Sequence, residues 1–589
     1  MKILKESFLA FGLVAALAAN SAAVVKIVGD NGSWRLERNG KPYFIRGAGG
    51  VSDFARFAAM GGNSVRTWGA DQAARQLDEA ARYGVTVTVG FWLAHQPEGA
   101  NYADPKWCEG TTANVLATVR EVKDRPGLLM WALGNEMELG VADEEALWKY
   151  IDWLAAQVKA EDPNHPVGTV VAEVWPAKVE KIMRLAPHLD WIGINSYGGA
   201  LDVGRRFRDM GGAKPYVITE FGPPGPTELG LNSFGSPNEW TSTEKADWYE
   251  KIYRNNMLAD QGKYCLGSYA FIWGYKVEGT PSWFGLLTPE GEALAGAERL
   301  QALWDRRDIV NRVPTITPMW ISKERLESLD DTLEASVTAA DPDGDRLTYT
   351  WTLVPELTYL GETHGVRLPV AREGVIVKGQ GTNRVTLKAD GGGKWRLYCT
   401  VRDGKGGAAN ASRPVFVKGP PPPKLVEKQT LPCAVFADGA PARWWGTGYM
   451  GDASKLVIDW HSKDAPASGD TCMKVSYSGK DWAGLLWQDP PGDWNNSEGG
   501  YNLTGAKALR FRARGVNGGE RINFQLGGGR GAYPDSCIVK KENVSLEKGW
   551  KEFTLDLAGK DLGCIKTAFG FSFGGQGKVE FYLDDIRFE

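Results

Sequence analysis

The chain has 589 residues, and its 68 Lys and Arg against 72 Asp and Glu give a net charge of −4. This near-neutral balance argues against a partner recognised through its charge, so we expect no nucleic acid to bind. With 43% hydrophobic and 24% charged residues, the chain has the composition of a folded protein of roughly three to four domains. It also carries 24 Trp. Because an indole face packs well against the C–H face of a sugar ring, this number favours a carbohydrate ligand.

Residues 1–23 have the composition of a signal peptide. Lys2 and Lys5 precede the apolar run Phe8–Ala19, and small residues at 21–23 provide a cleavage site. The run is too short to span a bilayer, and no later apolar run reaches about 18 residues. We therefore expect a secreted or periplasmic protein without a membrane span.

Residues 24–310 alternate between short apolar runs and runs of helical period, which is the pattern of a parallel sheet covered on both faces. The predicted strands are Tyr43–Gly49, Ser64–Gly69, Thr86–Ala94, Leu128–Glu136, Val167–Val174, Trp191–Gly198, Tyr216–Phe221 and Leu266–Gly274. Helices are predicted between them, for example over Asp71–Arg82 and Glu144–Lys159. Eight such repeats predict an α/β fold of the (β/α)8 barrel type, with a doubly wound sheet as the alternative.

Two all-β domains follow the predicted barrel. Residues 311–418 contain short strands between turns rich in Gly and Asp, which predicts a β-sandwich. Residues 419–424 are a Pro-rich linker. Residues 425–589 form a second block of alternating strands, so the complete prediction is a barrel followed by two all-β domains.

Two carboxylates stand at the ends of predicted barrel strands. Glu136 ends the fourth strand and Glu220 lies near the end of the seventh. In a (β/α)8 barrel the C-terminal ends of the strands form the active face, so these two residues should meet across the mouth. A pair of carboxylates is what glycoside cleavage needs, one as proton donor and one as nucleophile. A solvated carboxylate at a strand end is the alternative interpretation of each one alone.

The motifs around these residues resemble those of the retaining glycoside hydrolases of clan A. The matching segments are Asn63–Trp68, Gly134–Glu136, Asn195–Tyr197, Thr219–Gly222 and Ala270–Gly274. The resemblance covers the whole barrel and implies that Glu136 is the acid/base and Glu220 the nucleophile. Burial and a neighbouring carboxylate would raise the pKa of the acid, and a nearby Arg would keep the nucleophile ionised. In a retaining enzyme the two carboxyl groups lie about 5–5.5 Å apart.

The same resemblance implies roles for further residues around the two carboxylates. Arg66 would bond the nucleophile with Tyr197 near it, Asn135 would hold the sugar 2-hydroxyl, and Trp273 would form the floor of the cleavage subsite. His95 resembles a His that some clan A families place beside the sugar, although a packing role is as well supported. Trp92 and Trp175 are candidates for stacking sugars at outer subsites. Glu138 and Glu173 are further carboxylates near the rim, for which a structural role is favoured.

The C-terminal domains also resemble known modules. The sandwich is similar to Ig-like or PKD-type spacers, and residues 425–589 are similar to jelly-roll carbohydrate-binding modules. In the latter, Trp444, Trp445 and Trp487 are candidate stacking platforms. Asp584 is a candidate ligand of a structural calcium ion, because related modules use a closing Asp in this way. No metal is expected in the barrel.

Together these features predict an exported, retaining endo-β-glycosidase that cleaves a β-linked polysaccharide and needs no cofactor for catalysis. The domain layout most resembles endo-β-1,3-glucanases of family 158, with more distant similarity to families 5 and 2. β-1,3-Glucan is therefore the first candidate substrate. An exo-β-glycosidase, a β-mannanase, a β-1,4-glucanase and a glucan transglycosylase remain open on the same residues. A polysaccharide-binding protein without catalysis is the alternative of another class. The sequence does not indicate an oligomeric state.

Overall fold

The computed structural model describes residues 23–30, 32–305, 309–356, 370–422, 426–529 and 531–589. The predicted signal peptide, except for Ala23, lies outside the described residues, as does the end of the Pro-rich linker. The chain divides into two compact units, one up to Pro422 and the other mainly over Pro423–Glu589. The first unit contains the barrel and the following sandwich, and the second contains the C-terminal β-domain.

Eight parallel strands close into a barrel in the order β10-β11-β4-β5-β6-β7-β8-β9. These strands are β4 (Ile45–Gly49), β5 (Ser64–Arg66), β6 (Thr86–Phe91), β7 (Leu128–Leu133), β8 (Val167–Ala172), β9 (Trp191–Asn195), β10 (Tyr216–Phe221) and β11 (Cys265–Ala270). The helices are α1 (Phe54–Ala59), α2 (Ala73–Arg82), α3 (Pro105–Val122), α4 (Glu144–Glu161), α5 (Pro176–Leu185), α6 (Val203–Asp209), α7 (Ser242–Ile252) and α8 (Ala295–Asp305). The predicted fold class is confirmed, and the doubly wound alternative is wrong because the sheet is closed.

Local sequence signals set the ends of these elements. Every residue of β7 is buried, because the barrel interior covers one face and helices cover the other. The helix α4 begins after Asp143, whose carboxylate accepts a hydrogen bond from the backbone N–H of Ala146. Glu144 and Glu145 in its first turn favour the same start through the helix dipole. These signals define where β7 ends and where α4 begins. The β7–α4 loop between them carries Glu136.

A small sheet at the N-terminus was not predicted. Its strands are β1 (Val25–Asp30), β2 (Ser33–Arg38) and β3 (Lys41–Tyr43). Val25 donates its backbone N–H to Asn164 O, and Trp34 donates its own to Lys263 O; both acceptors precede barrel strands. The sheet therefore lies at the N-terminal end of the barrel, away from the end where catalytic residues collect.

The β-sandwich of the first unit packs on the barrel. Its strands are β12 (Thr315–Ile316), β13 (Trp320–Ile321), β14 (Arg325–Leu326), β15 (Leu333–Ser336), β16 (Ala339–Ala340), β17 (Thr348–Pro355), β18 (Ile376–Lys378), β19 (Arg384–Leu387), β20 (Gly393–Arg402) and β21 (Ala408–Val417). Two four-stranded sheets, β13-β15-β19-β18 and β14-β21-β20-β17, enclose its core. Backbone N–H groups of Asn410 and Ile316 donate to the hydroxyls of Ser242 and Thr243 at the start of α7. The sandwich thus contacts a barrel helix directly.

The second unit is a sandwich of two antiparallel sheets. Its strands are β22 (Cys433–Phe436), β23 (Trp445–Gly451), β24 (Leu456–Ser462), β25 (Cys472–Tyr477), β26 (Trp482–Gln488), β27 (Ala508–Gly515), β28 (Arg521–Leu526), β29 (Val539–Ser545), β30 (Lys551–Asp556), β31 (Thr567–Gly574) and β32 (Val579–Phe588). One sheet runs β24-β25-β32-β27-β30, with β22 also paired to β32, and the other runs β23-β26-β31-β28-β29. In the segments that the structure describes, no helix is both long and apolar enough to cross a membrane.

Two of the three predicted stacking platforms in this unit are wrong. Trp444 and Trp487 are each 2% exposed and lie in the hydrophobic core. Their place follows from strand alternation and packing, since Trp487 contacts Phe569 and Phe571 edge-on. All three residues line a surface cavity of about 400 Å³, but among them Trp445 alone is partly exposed, so it stays a candidate.

Asp584 does not fit the predicted calcium site. Its Oδ2 accepts hydrogen bonds from the backbone N–H groups of Ala467 and Ser468, and its Oδ1 accepts one from Asp585 N. Burial raises the pKa of this carboxyl, which is 2% exposed. Because N–H donors already face both oxygens, the residue ties a loop to β32, and we propose no cation there.

Candidate active site

Glu220 lies on β10 and is held by three donors at the mouth of the barrel. Arg66 Nη1 is 2.8 Å and Trp68 Nε1 is 2.7 Å from its Oε1, and Tyr197 donates its hydroxyl to Oε2 at 2.7 Å. Burial and the adjacent Glu220 carboxylate raise the pKa of Tyr197 well above its usual value, so this phenol keeps its proton and remains a donor. These three hydrogen bonds hold the Glu220 carboxylate beside the buried Arg66 in a single orientation.

Glu136 follows β7 in a different environment. It has a φ of 54°, and the preceding turn contains Gly134 with a φ of 76°, so a left-handed backbone turns the chain out of the strand. Asn195 Nδ2 donates to Glu136 Oε1 at 2.7 Å. Burial first, and the nearby Glu220 carboxylate second, raise the pKa of Glu136 to about 8. Glu136 is therefore mainly protonated at neutral pH.

Asn135 connects the two carboxylate environments. Its Oδ1 accepts hydrogen bonds from Arg66 Nη2 at 2.5 Å and from Asn195 Nδ2 at 3.1 Å. Thr219 in turn donates to Asn195 Oδ1 at 2.8 Å. Since Oδ1 faces these donors, the Asn135 amide N–H₂ is turned to the other side, where it can donate to a ligand.

The remaining predicted residues flank Glu136. His95 Nε2 lies 3.0 Å from the backbone oxygen of Asn135 and its ring stacks on Trp92 at 5.3 Å between centroids, so it supports the loop. Trp92, after β6, and Trp175, after β8, are 42% and 41% exposed. Lys178 Nζ lies 3.5 Å from the centre of the Trp175 ring. Two exposed indoles thus follow β6 and β8, the strands to either side of β7.

The two further rim carboxylates have structural partners. Glu138 is buried and pairs with Lys178, Nζ to Oε1, at 2.5 Å. Glu173 pairs with Arg206 at 2.8 Å and accepts a hydrogen bond from Ser196 Oγ. The structural interpretation of both residues agrees with these contacts.

Trp273 is not the floor of the cleavage subsite, and that prediction is wrong. The residue is 3% exposed, and its ring packs edge-on against Phe57 of α1 at 5.0 Å between centroids. The chain leaves the sheet after Ala270, which places Trp273 in the core between the barrel and its helices. Phe271 lies near the residues that donate to Glu220 instead, with its ring 5.9 Å from Trp68 and 5.8 Å from Tyr197.

The roles of two residues in the site were not predicted from the sequence. Trp68 ends the matching segment Asn63–Trp68 and was given no role there, yet it donates directly to Glu220. Asn195 was quoted in the motif that contains Tyr197, but its contact with Glu136 was not expected. Both stand at the C-terminal ends of strands, β5 and β9, so the strand-end rule was the signal that could have found them.

The barrel segment also matches a known family. Residues 46–253 match the model described as the TIM barrel domain of glycosyl hydrolases family 2. The barrel is similar to that domain. This likeness confirms the predicted resemblance to clan A and supports the prediction of a glycoside hydrolase, whereas it does not support the finer resemblance to family 158.

Similar proteins cover only part of the chain. A β-galactosidase of Klebsiella pneumoniae is 29% identical over 151 residues, which are 22% of this chain and 14% of that protein. The β-galactosidase BgaC of Bifidobacterium adolescentis is 25% identical over 202 residues, 32% of this chain and 18% of that protein. The chain therefore spans less than a fifth of the length of either relative.

A solved structure with a likeness to the chain is Bacteroides uniformis β-glucuronidase 2 covalently bound to cyclophellitol-6-carboxylate aziridine. It is 14% identical with a TM-score of 0.39, and the match covers 95% of this chain and 67% of that one. The Ruminococcus gnavus β-glucuronidase in complex with uronic deoxynojirimycin is 17% identical with a TM-score of 0.39, over 48% of this chain and 53% of that one.

Proposed function

We propose that the protein is a retaining β-glycosidase that works by double displacement. The observation that carries the proposal is the contrast between two neighbouring carboxyl groups. Glu220 is fixed by Arg66, Trp68 and Tyr197, whereas Glu136 is half-buried and has a raised pKa. When the environments of two carboxyl groups keep one protonated and the other ionised, the pair supplies one acid and one nucleophile.

The two steps follow from these states. In the first, a carboxylate oxygen of Glu220 attacks the anomeric carbon, the glycosidic C–O bond breaks, and the leaving oxygen takes the proton of Glu136. In the second, Glu136 removes a proton from water, the water oxygen attacks the same carbon, and the bond to Glu220 breaks. The anomeric carbon is inverted twice, so the product keeps the β configuration.

The neighbouring residues orient these groups. Arg66 donates to one carboxylate oxygen of Glu220 and Tyr197 donates to the other, while Asn195 positions Glu136. The N–H₂ of Asn135 is placed to bind the sugar 2-hydroxyl, an interaction that strengthens in the transition state. We expect the carboxyl groups of Glu136 and Glu220 to lie about 5–5.5 Å apart in a crystal structure.

We propose a β-linked oligosaccharide or polysaccharide as the substrate, with β-1,3-glucan as the first polymer to test. The exposed Trp92 and Trp175 support binding beyond a single sugar. A β-galactoside is the second candidate, because both relatives described above are named β-galactosidases. The catalytic residues do not choose between them, since the shape of the outer subsites sets sugar and linkage. We also infer export, from the composition of residues 1–23.

The proposal is tested by product analysis with the full chain lacking residues 1–23. Substrates are β-1,3-glucan, mixed-linkage glucan, cellulose, β-mannan and 4-nitrophenyl β-galactoside, with proton NMR of the first product formed. A β-anomer from any of them supports retention, and an α-anomer contradicts it. A ladder of oligosaccharides indicates endo cleavage and single sugars indicate exo cleavage. Binding of a polymer without any release would favour the binding-protein alternative.

The pH profile should reflect the acid. Because only protonated Glu136 can protonate the leaving oxygen, we expect kcat/KM to fall as pH rises through about 8 for substrates with poor leaving groups. The Glu136→Gln variant should lose most activity on such substrates and show no basic limb with an activated aryl glycoside. Matched pH–rate curves of wild type and variant make the comparison. A basic limb that persists in the variant would assign it to another group.

The same raised pKa predicts an effect on stability. A group whose folded pKa lies above its unfolded value destabilises the fold as pH rises between the two values. We therefore expect Glu136→Gln to raise the free energy of unfolding by a few kcal/mol at pH 8.5 and by little at pH 5, because Gln cannot ionise. Denaturant unfolding at both pH values measures this difference. An equal effect at the two pH values would show that Glu136 titrates normally.

A further inference from the structure

A buried ion pair joins the loop that carries Glu136 to α5. Glu138, two residues further along that loop, is 7% exposed, and Lys178, in the first turn of α5, is 1% exposed. Lys178 Nζ lies 2.5 Å from Glu138 Oε1. Because little water reaches either group, their charges act on neighbouring groups with less screening than surface charges do. Neither residue has a part in the two steps proposed above.

The contacts of Lys178 require its ammonium form. Its Nζ has three acceptors within hydrogen-bonding reach, which are Glu138 Oε1, the backbone oxygen of Ala172 and, at 3.1 Å, the backbone oxygen of Glu173. Three acceptors need three N–H donors, and a neutral amine has only two. Burial lowers the pKa of Lys178, but the charge of Glu138 opposes that change. The ring of Trp175, whose centre is 3.5 Å from Nζ, also contacts the positive charge.

The contacts of Glu138 are those of a carboxylate. Its Oε1 accepts a hydrogen bond from Ala172 N at 2.8 Å in addition to the one from Lys178. Its Oε2 is buried and has no hydrogen-bond partner in the segments that the structure describes. Since a carboxylate shares its charge between both oxygens, Lys178 and Ala172 stabilise only one side of it. The negative charge of Glu138 is therefore only partly cancelled within the pair.

Both Glu136 and Glu138 are anchored to β8. Glu136 donates its backbone N–H to Val170 O at 2.9 Å, and Glu138 accepts from Ala172 N, two residues further along the strand. Leu139 N donates to Glu136 O at 3.0 Å, which closes a turn between the two anchors. Since a strand advances about 3.3 Å per residue, the anchors are roughly 7 Å apart. Charges at this separation still repel each other where water is largely excluded.

Other titratable groups surround Glu136 and the pair. They are Arg66, His95, Glu173, Tyr197, Arg206 and Glu220. Burial and the charge of Glu220 raise the pKa of Glu136 most, and the charge of Glu138 raises it further. The hydrogen bond from Asn195 and the charge of Arg66 lower it. Glu220 and Arg66 serve the proposed nucleophile, whereas Glu138 lies in the loop of the proposed acid.

We propose that Glu138 and Lys178 are positioning residues that keep Glu136 in its proton-bearing form. The inference rests on the proposed function and deepens it, because it names the groups that prepare the acid for the first step. Glu138 disfavours a second negative charge in its loop. Lys178 keeps Glu138 ionised and ties it to the end of β8, because a buried carboxylate without a partner would itself take up a proton.

The test removes the charge of Glu138 and keeps its shape. In Glu138→Gln the amide oxygen still accepts from Ala172 N and from Lys178, but the repulsion of Glu136 is lost and the charge of Lys178 is no longer cancelled. Both changes favour the ionised form of Glu136. We therefore expect the basic limb of kcat/KM, on the best polysaccharide or oligosaccharide substrate, to move to lower pH by about one unit. The plateau below the limb should change little.

A second ion pair between the same two parts of the chain gives the matched control. Glu144, in the first turn of α4, pairs with Lys181 of α5 at 2.8 Å, and the two side chains are 29% and 36% exposed. Because solvent screens these charges, Glu144→Gln should leave the basic limb within about 0.2 pH unit of its place in the wild type. An equal shift in Glu144→Gln and Glu138→Gln would overturn the inference.

A double variant covers the case that an unpaired buried ammonium unfolds the chain. Glu138→Gln with Lys178→Met removes both buried charges, which proteins tolerate better than the loss of one partner. Its basic limb should lie between those of the wild type and Glu138→Gln, because the attraction of Lys178 for ionised Glu136 is gone as well. A basic limb at the wild-type pH in both variants overturns the inference.

A readout without substrate separates this inference from the proposed function. The infrared band of a protonated carboxyl group that disappears in Glu136→Gln reports the proton of Glu136, and its loss with rising pH is compared in wild type and Glu138→Gln. A midpoint about one pH unit lower in Glu138→Gln supports the inference even if no glycoside is cleaved and the proposed function fails. Coinciding midpoints, or activity lost equally at every pH, overturn the inference while the proposed function stands.

Discussion

Glu220→Gln should abolish turnover, with kcat lower by on the order of 10⁴-fold or more. The amide keeps an acceptor for Arg66 and Trp68, so the fold and the hydrogen bonds around the residue are expected to remain. What is lost is the charged oxygen that forms the covalent bond, and without it no alternative path of comparable rate exists in the site. Initial rates on the best substrate of the panel measure the loss, and thermal unfolding shows that the variant is folded.

A matched control separates this loss from a general effect of removing a carboxylate near the mouth. Glu173→Gln changes a carboxylate at the end of β8 that pairs with Arg206, and it should retain activity within about three-fold, since surface pairs contribute little. A second test uses Glu220→Gly with azide and an activated aryl β-glycoside. Azide then enters from the side vacated by the carboxylate and gives an α-glycosyl azide. A β-glycosyl azide, or full activity of Glu220→Gln, would contradict the nucleophile assignment.

The sequence predicted the barrel because its signals are strong and local. Each barrel strand is an apolar run followed by a helical period, and both faces of a parallel sheet are buried, so the runs are continuous. Glu136 and Glu220, the proposed catalytic pair, were predicted for the same reason, since each interrupts an apolar run at a strand end. Boundaries were less accurate. The predicted strand Leu128–Glu136 ends at Leu133, because Gly134 and Glu136 adopt left-handed backbone conformations.

The features that the sequence did not predict depend on contacts distant in the chain. Trp444 and Trp487 could be placed on the surface or in the core only by knowing which sheet faces them. The motif around Trp273 predicted a place in the site, but its ring packs against Phe57 of α1, which lies more than 200 residues earlier in the chain. The N-terminal hairpin is different, because Asn39-Gly40, with φ of 52° and 72°, is a strong hairpin signal that was overlooked.

A buried polar cluster joins the sandwich to loops at the mouth of the barrel. Its centre is Glu239, in the β10–α7 loop. Glu239 Oε1 accepts from Lys245 Nζ at 2.6 Å and from Ser282 Oγ at 2.8 Å. Its Oε2 accepts from Thr280 Oγ1 at 2.9 Å and from Ser412 Oγ, in the sandwich, at 2.8 Å. The side chain is 2% exposed, so these contacts replace all of its hydration.

Arg396 extends the cluster into the sandwich. It is fully buried, pairs with Glu356 at 2.9 Å, and donates from Nη2 to the backbone oxygen of Pro237 at 2.7 Å. Burial alone would raise the pKa of Glu239, but the charges of Lys245 and Arg396 bring it below its usual value. Glu239 is therefore ionised, and its contribution to stability is present above the unfolded pKa and lost as pH falls through the folded one.

The cluster also leads to Glu220, the proposed nucleophile. Ser282 precedes Trp283 and Phe284, and Trp283 donates its indole N–H to Pro224 O in the β10–α7 loop. The Phe284 ring lies 5.2 Å from that of Tyr197, which donates to Glu220. Loss of the anchor at Glu239 should therefore loosen the wall against which Tyr197 packs.

We expect Glu239→Ala to lower the free energy of unfolding by about 3–5 kcal/mol, because it leaves the buried charge of Lys245 without its partner. It should also lower kcat, since Tyr197 no longer holds Glu220 in one orientation. Glu290→Ala is the control: Glu290 pairs with Arg402 across the same barrel–sandwich boundary, but its side chain is 61% exposed, so a change below about 1 kcal/mol is expected. Denaturant unfolding and steady-state kinetics of both variants measure the effects. A Glu239→Ala variant as stable and as active as Glu290→Ala would show that the sandwich serves only as a spacer, whereas the expected losses would make it part of the catalytic unit.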